Sequence, residues 1–110
     1  MEQNHDICWM KYGLNDTVIA ELQAVFGHHP NIKKVLIFGS RAKGNYRDGS
    51  DIDLAAIGNN LDYSQLLNIL VEIDNLGLLY RVDLLDYQKH INTPIGEHID
   101  RVGQVFYQSA

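Results

Sequence analysis

The segment from Val35 to Leu54 constrains this chain most, because it places two short apolar runs on either side of a glycine-containing turn. Residues 35–38 form a continuous apolar run that ends at Gly39, which is typical of a buried strand. After residues 40–50, residues 51–58 (DIDLAAIG) alternate apolar side chains with Asp51 and Asp53. Because strand side chains alternate between faces, the second run predicts a strand with one polar face.

Apolar periodicity predicts two helices around these strands. Residues 16–26 repeat apolar positions near every 3.6 residues, and Asn15 or Asp16 can cap this first helix. Residues 62–77 repeat in the same way, and Asp62 with Gln65 resembles a capping box. A helix is therefore expected on each side of the strand pair along the chain.

The last third of the chain predicts one more strand and one more helix. Residues 78–87 alternate as a strand does, and Thr93 with Pro94 marks a helix start whose apolar repeat runs to Phe106. The predicted order is helix, strand, strand, helix, strand, helix. The expected fold class is α/β (α+β), a small mixed sheet of about three to four strands with helices packed on it, in a single domain over residues 1–110.

Charge and composition exclude several functional classes. Nine basic and fourteen acidic residues give a net charge of −5, which argues against duplex nucleic acid as a partner. No apolar run reaches the ~18–20 residues that span a bilayer, and the first residues lack a signal-peptide pattern, so no membrane partner and a cytoplasmic location are expected. The single cysteine, Cys8, cannot form an internal disulfide, and with His5 it makes only a weak metal-ligand pair.

The charged residues are distributed unevenly along the chain. Five of the nine basic residues lie in one stretch without an acid, and acidic residues follow directly. The basic residues are Lys33, Lys34, Arg41, Lys43 and Arg47, and the acidic ones are Asp48, Asp51 and Asp53. This layout suits a polyanionic small molecule held beside a cation.

The turn at Gly39 and Ser40 is a candidate anion site. Glycine allows a tight turn and close approach of a ligand, and Ser40 offers a hydroxyl and backbone N–H groups at the start of a helical turn. Gly39 and Gly44 have Walker A spacing, but Asn45 and Tyr46 replace the required Lys and Ser/Thr. Taken alone, the turn is a weak signal that is more typical of a plain end of a strand.

Asp51 and Asp53 are a candidate pair of metal ligands. They project from one face of a strand, with roughly 6–7 Å between their Cα atoms, and need protonation, a basic side chain or a divalent cation. Mg²⁺ prefers such carboxylate oxygens, and a solvated polar face is the alternative. Asp83 lies on the same predicted strand face as Arg81. It can join the pair around two metal ions if the second and third strands are neighbours, or form a salt bridge with Arg81.

The combination of these features resembles a known superfamily. Gly39-Ser40, ten residues, and then Asp51-x-Asp53 is similar to the signature of the polymerase β-like nucleotidyltransferases. The fuller GSRAKG…SDIDL resembles its smallest branch, the minimal nucleotidyltransferases, and Asp83 in RVDLLD matches the family's third carboxylate. The resemblance covers residues 33 to 87. Lys43 stands where many members have arginine, which keeps the charge but loses bidentate phosphate geometry.

The resemblance implies an enzyme with the polymerase β-like nucleotidyltransferase fold. A nucleoside triphosphate, expected to be ATP, would bind over Gly39, Ser40 and Lys43. Asp51 and Asp53 would hold one Mg²⁺ ion, and Asp51, Asp53 and Asp83 would hold a second. Asp83 could take the proton of the acceptor hydroxyl. Arg41, Arg47 and Ser50 are left open between solvated loop residues and phosphate or nucleotide contacts. The reaction would transfer a nucleoside monophosphate and release pyrophosphate.

The resemblance also suggests the acceptor. Minimal nucleotidyltransferases resemble the antitoxin halves of two-component modules, whose partner is a helical HEPN protein that the antitoxin can adenylylate. The three strands and three helices predicted above already use up the chain, so a partner protein is expected to present the hydroxyl. Two alternatives remain: a free-standing transferase that modifies a small hydroxyl compound, and a non-catalytic nucleotide-binding subunit.

Overall fold

The computed structural model describes residues 11–109, in which four α-helices, four strands and one 3-10 helix are formed. The helices are α1 (Asp16–Gly27), α2 (Gly39–Lys43), α3 (Tyr63–Asp74) and α4 (Pro94–Val102), with the 3-10 helix at Tyr87–His90. The strands are β1 (Ile32–Phe38), β2 (Ile52–Gly58), β3 (Val82–Asp86) and β4 (Gln104–Gln108). The expectations about His5 and Cys8 lie outside the described residues.

Local capping signals place the helix starts where the sequence predicts them. Asn15 Oδ1 accepts a hydrogen bond from Val18 N at 2.9 Å, and Asp62 Oδ1 accepts one from Gln65 N at 2.8 Å. The Gln65 side chain does not complete a capping box, so that part of the prediction is wrong. It exchanges two 2.8 Å hydrogen bonds with the Asn31 side chain and thereby ties α3 to the chain just before β1.

The strands form one mixed sheet in the order β3-β2-β1-β4. β1 pairs antiparallel with both β2 and β4, whereas β2 pairs parallel with β3. The expectation of a small mixed α/β sheet with three to four strands is confirmed. β2 is a central strand with buried side chains on both faces, which explains its nearly continuous apolar sequence.

The end of the chain differs from the prediction. The last helix ends at Val102, and Gln104–Gln108 forms β4. β4 pairs with β1, so that Tyr107 lies opposite Val35. Gly103 is the cause, because its extended backbone at φ −63° and ψ 142° leaves the helix while its N–H still caps Ile99 O at 2.7 Å. Phe106 fits the apolar repeat of the helix because its side chain is also buried, but it is buried as part of β4.

The third strand is also shorter than the predicted residues 78–87. It covers Val82–Asp86 and then turns into the 3-10 helix, where the buried Asp86 accepts a hydrogen bond from Gln88 N at 3.1 Å. The prediction that Asp86 faces away from Asp83 fits this register, because the two residues are three apart on one strand.

The two faces of the sheet carry different coverings. α1 and α3 pack on one face with Leu54 and Ile37 at the centre of the main core. On the other face a smaller cluster joins Phe38, Ala55 and Ile99 of α4. Ala55 lies two residues after Asp53, so the aspartate opens onto this less covered face. Among residues 11–109 no helix is both long enough and apolar enough to cross a membrane.

Candidate active site

The parallel pairing of β2 with β3 brings the predicted carboxylates together. Asp53 and Asp83 are register partners, and Ile52 N donates to Arg81 O at 2.9 Å between the same strands. Register partners project from the same face of a sheet, and Asp51 lies two residues before Asp53 at the entry to β2. The condition under which Asp83 can join the pair, that the second and third strands are neighbours, is met.

The electrostatics at Asp53 reflect this grouping. Its pKa is raised above the ordinary aspartate value, first because burial disfavours the charged form, and then because of the negative charges of Asp83 and Asp51. The positive charge of Arg41 acts in the opposite direction but does not reverse the shift. Asp53 therefore carries a charge that its surroundings do not fully compensate.

Asp83 is more accessible than Asp53 and has a basic neighbour. Its side chain is 52% exposed, and its Oδ1 lies 3.8 Å from Arg81 Nε. The salt bridge that the sequence left as an alternative is thus formed, although both partners are exposed and such a contact contributes little stability. Asp83 can therefore leave this contact at small cost.

The donor set suits a hard divalent cation. Carboxylate oxygens are the ligands that Mg²⁺ prefers, and a cation would relieve the repulsion that raises the pKa of Asp53. In the part of the chain that the structure describes, no three His, Cys, Asp or Glu side chains are already gathered closely enough to hold an ion. The chemistry of the three aspartates fits the ion, whereas their side chains are not gathered around one point.

Gly39 connects the carboxylates with the predicted phosphate turn. Phe38 is the register partner of Asp53, so the next residue, Gly39, lies beside that carboxylate at the start of α2. Gly39 has φ +73°, and a Cβ at this position would collide with Asp53 Oδ2. No side chain caps the first turn of α2, whereas Ser40 is half-buried and Lys43 is exposed. Glycine is favoured here, because the backbone angle strains other residues and a side chain would displace the Asp53 carboxylate.

Arg41 is buried, so the interpretation of this residue as a solvated loop side chain is wrong. Its guanidinium donates from Nε and Nη2 to Ser50 O at 3.1 and 2.9 Å, and from Nη1 to Tyr12 O at 2.9 Å. The Ser50 hydroxyl accepts a hydrogen bond from Arg47 N at 2.8 Å, which closes the loop before β2. The structure therefore gives Arg41 and Ser50 contacts within the protein, and their predicted contacts to substrate stay predictions.

Sequence reasoning missed the aromatic surroundings of Arg41. The guanidinium carbon lies 5.3 Å from the Tyr46 ring centroid and 4.9 Å from that of Tyr80. Both distances are within the range of cation–π attraction. No local signal links these residues, because Tyr80 is far away along the chain and Tyr46 lies in a loop between α2 and β2. Only the tertiary fold brings the two rings to the arginine.

Replacing Gly39 with alanine is expected to destabilise the protein more than replacing Gly44. Both glycines have positive φ, +73° and +91°, so each alanine pays for left-handed strain of about 1–2 kcal/mol. Only Gly39→Ala adds the collision with Asp53, because nothing lies within 4 Å of a Cβ at Gly44. Urea unfolding of both variants measures the difference. Equal losses would show that Asp53 does not press on Gly39.

Asp53→Asn is expected to raise the thermal stability at pH 7. Since the pKa of Asp53 is raised in the folded protein, ionisation costs stability above that pKa and costs nothing below the ordinary aspartate value of about 3.9. The stability advantage of the variant should therefore shrink as the pH falls through this window. Melting temperatures from pH 3 to 8 test it, with the exposed Asp48→Asn as the charge-matched control. A gain that Asp48→Asn equals would contradict the assignment.

Comparison with known proteins assigns the chain to a family. The family model described as "Polymerase beta, Nucleotidyltransferase" matches residues 20–110. A protein of Methanocaldococcus jannaschii, "Putative protein adenylyltransferase MJ0604", is 29% identical over 89 residues, which covers 69% of this chain and 79% of that protein.

Solved structures share the fold. A chain of the crystal structure of a toxin-antitoxin with AMP-PNP has a TM-score of 0.68 at 24% identity, covering 87% of this chain and 75% of that one. A chain of the structure of tri-AMPylated Shewanella oneidensis HEPN toxin with MNT antitoxin has a TM-score of 0.63 at 18% identity, covering 84% and 71%. These likenesses show the polymerase β-like fold. Because the family model matches nearly the whole described chain, the protein belongs to the polymerase β-type nucleotidyltransferase family.

Proposed function

We propose that the protein is a Mg²⁺-dependent adenylyltransferase that moves AMP from ATP to a hydroxyl of a HEPN-type partner and so acts as its antitoxin. The observation that carries the proposal is the pairing of Asp53 with Asp83 beside Gly39. It places two acidic side chains and a phosphate-type turn at the same end of the sheet. The names of the relatives, one an adenylyltransferase and one a HEPN toxin with its MNT antitoxin, support the nucleotide and the partner.

The phosphates of ATP would bind at the turn that opens α2. Gly39 leaves room for close approach, and Ser40 contributes its hydroxyl and the backbone N–H groups that no side chain caps. Lys43 is exposed at the other end of this short helix and would add a point charge on the triphosphate. The AMP-PNP in the toxin-antitoxin structure supports an adenine nucleotide as the ligand.

Asp51, Asp53 and Asp83 would hold the divalent cations. Bound Mg²⁺ would neutralise the phosphate oxygens and acidify the acceptor hydroxyl, as in two-metal phosphoryl transfer. Asp83 is exposed and only loosely paired with Arg81, so it is free to accept the proton of that hydroxyl. Asp53 is more buried and holds its place against Gly39.

The transfer would exchange one phosphorus–oxygen bond for another. The acceptor oxygen forms a bond to the α-phosphorus of ATP, and the bond from that phosphorus to the oxygen bridging to the β-phosphate breaks. The hydroxyl proton passes to Asp83, and pyrophosphate leaves with the bridging oxygen. The chain contributes mainly by fixing the positions and charges around this exchange.

An exposed apolar surface supports a protein partner. Tyr63, Leu67 and Val71 recur every four residues on α3 and are 70%, 43% and 58% exposed. Leu79, in the segment between α3 and β3, is 97% exposed. Beside Leu67 and Val71 lies a cavity of about 570 Å³ between α3 and the segment entering β3. We call this cavity, together with the exposed stripe of Tyr63, Leu67 and Val71, the α3 groove.

The α3 groove reaches the edge strand β3, next to one of the proposed carboxylates. Arg81 lines it and also contacts Asp83, and Val82 lines it at the start of β3. A helical protein that packs its apolar side chains into the groove would therefore lie beside β3 and could extend around this edge strand toward the carboxylates on the other face of the sheet. The contact of Arg81 with both the groove and Asp83 supports a HEPN-type helical protein as the occupant.

Transfer activity tests the proposed function directly. The chain mixed with a HEPN-type protein from the same genome, ATP and Mg²⁺ should add an AMP-sized mass to that protein. Asp83→Asn should abolish the addition and retain ATP binding, because the turn at Gly39 is untouched. Asp86→Asn is the matched control, since its side chain faces away and asparagine still caps the 3-10 helix.

Intact-mass spectrometry of the partner and calorimetry with ATP provide the readouts. An unmodified partner together with brisk AMP transfer to small alcohols would favour a free-standing transferase. ATP binding without any transfer would favour a non-catalytic subunit. Loss of transfer in Asp86→Asn and not in Asp83→Asn would overturn the assignment of the third carboxylate.

The α3 groove is expected to be required for partner binding. Leu67→Asp places a charge in the apolar stripe and should weaken binding at least about tenfold, because a buried unpaired charge is costly. Asn68→Asp adds the same charge at the next exposed position of α3 and should have little effect. Calorimetry with the HEPN-type protein measures both. Equal affinity for wild type and Leu67→Asp would place the partner elsewhere.

A further inference from the structure

Within residues 11–109, Arg41 carries a buried charge that has no acidic partner in an ion pair. Its residue is 3% exposed, and none of the ion pairs within residues 11–109 includes it. Three of its five N–H donors bind main-chain carbonyls. Two of them share the carbonyl of Ser50, and the third binds that of Tyr12. An interior cation without a carboxylate partner is costly, so these contacts must be well formed in the folded protein.

Two aromatic rings hold the same guanidinium. Tyr46 comes from the loop after α2, and Tyr80 from the segment before β3, with centroids at 5.3 and 4.9 Å. Gly13 is part of this packing, because a Cβ there would meet the Tyr46 ring and Arg41 Nη1. With rings and carbonyls around it, the guanidinium has almost no surface left for a triphosphate.

The contacts of Arg41 lie at the entries of both carboxylate strands. Ser50 directly precedes Asp51, and its carbonyl takes two N–H donors of Arg41 in a fork. Tyr80 precedes Arg81, whose carbonyl accepts the Ile52 N–H that begins the β2–β3 ladder. Arg41 itself belongs to α2, the helix that opens at Gly39 and Ser40. A side chain of α2 thus contacts the segments that lead into both carboxylate strands.

We propose that Arg41 is a positioning residue that sets the two carboxylate strands relative to the Gly39-Ser40 turn, and that it does not contact the nucleotide. The inference rests on the proposed function for the role of the carboxylates. Groups that orient metal ligands typically change metal affinity or activity by about 10–100-fold when they are altered.

The conservative variant Arg41→Lys separates charge from geometry. Lysine keeps the positive charge, but its single ammonium cannot reproduce the fork on Ser50 O or stack flat between two rings. The strand entries should therefore loosen, while the Gly39-Ser40 turn keeps its own backbone and its room for phosphate. Arg101→Lys, an exposed residue of α4, is the matched control.

Hydrogen exchange and two binding measurements test the inference. Amide exchange over residues 46–54 and 80–84 should be about tenfold faster or more in Arg41→Lys, with α3 unchanged. The dissociation constant for Mn²⁺, a spectroscopic substitute for Mg²⁺, should rise about 10–100-fold. The dissociation constant for ATP in the absence of metal should stay within about twofold. Arg101→Lys should match wild type throughout.

The opposite pattern would overturn the inference. Unchanged exchange at both strand entries, combined with weaker metal-free ATP binding, would make Arg41 a substrate contact. If Arg41→Lys does not fold, Tyr80→Leu removes one ring and must accelerate exchange in the same two segments; unchanged exchange there overturns the inference. Failure of the proposed function is distinct, because wild type itself would then bind neither Mn²⁺ nor ATP, and the exchange measurement would still decide the positioning role.

Discussion

The parallel pairing of β2 with β3 sets Asp53 beside Asp83, and the rest of the site depends on holding like charges there. Burial and the neighbouring aspartates both raise the pKa of Asp53, so the ionised carboxylate is electrostatically unfavourable in the folded protein. Such a conflict persists only where the surrounding structure fixes the groups in place. Here the central position of β2 and its apolar side chains on both faces supply that fixing.

The two faces of the sheet differ in how much apolar surface they bury. The face under α1 and α3 holds the main core with Leu22, Leu54 and Ile69, and it provides most of the apolar burial. The other face holds only a small cluster around Phe38 and Ile99. The aspartates can therefore remain accessible to a nucleotide without weakening the main core.

The parts of the fold that rest on local signals could be predicted from the sequence. The caps at Asn15 and Asp62 and the alternation around Asp53 depend on neighbours within a few residues. β4 could not be predicted, because its pairing with β1 joins Val35 to Tyr107 and the helical repeat of α4 happens to continue through Phe106. The surroundings of Arg41 could not be predicted for the same reason, since its partners come from three separate segments that only the tertiary fold brings together.

The basic stretch after β1 divides into an interior cation and exposed ones. Arg41 is buried and bound to carbonyls, whereas Lys43 and Arg47 remain exposed and available to an anion. The charge of Arg41 lowers the pKa of Asp53, but burial and the other aspartates outweigh it. Full neutralisation by an interior arginine would weaken the attraction of the carboxylates for the proposed divalent cation. Because the compensation is partial, Arg41 can stabilise the arrangement of the aspartates and still leave the negative charge that the proposed cation would bind.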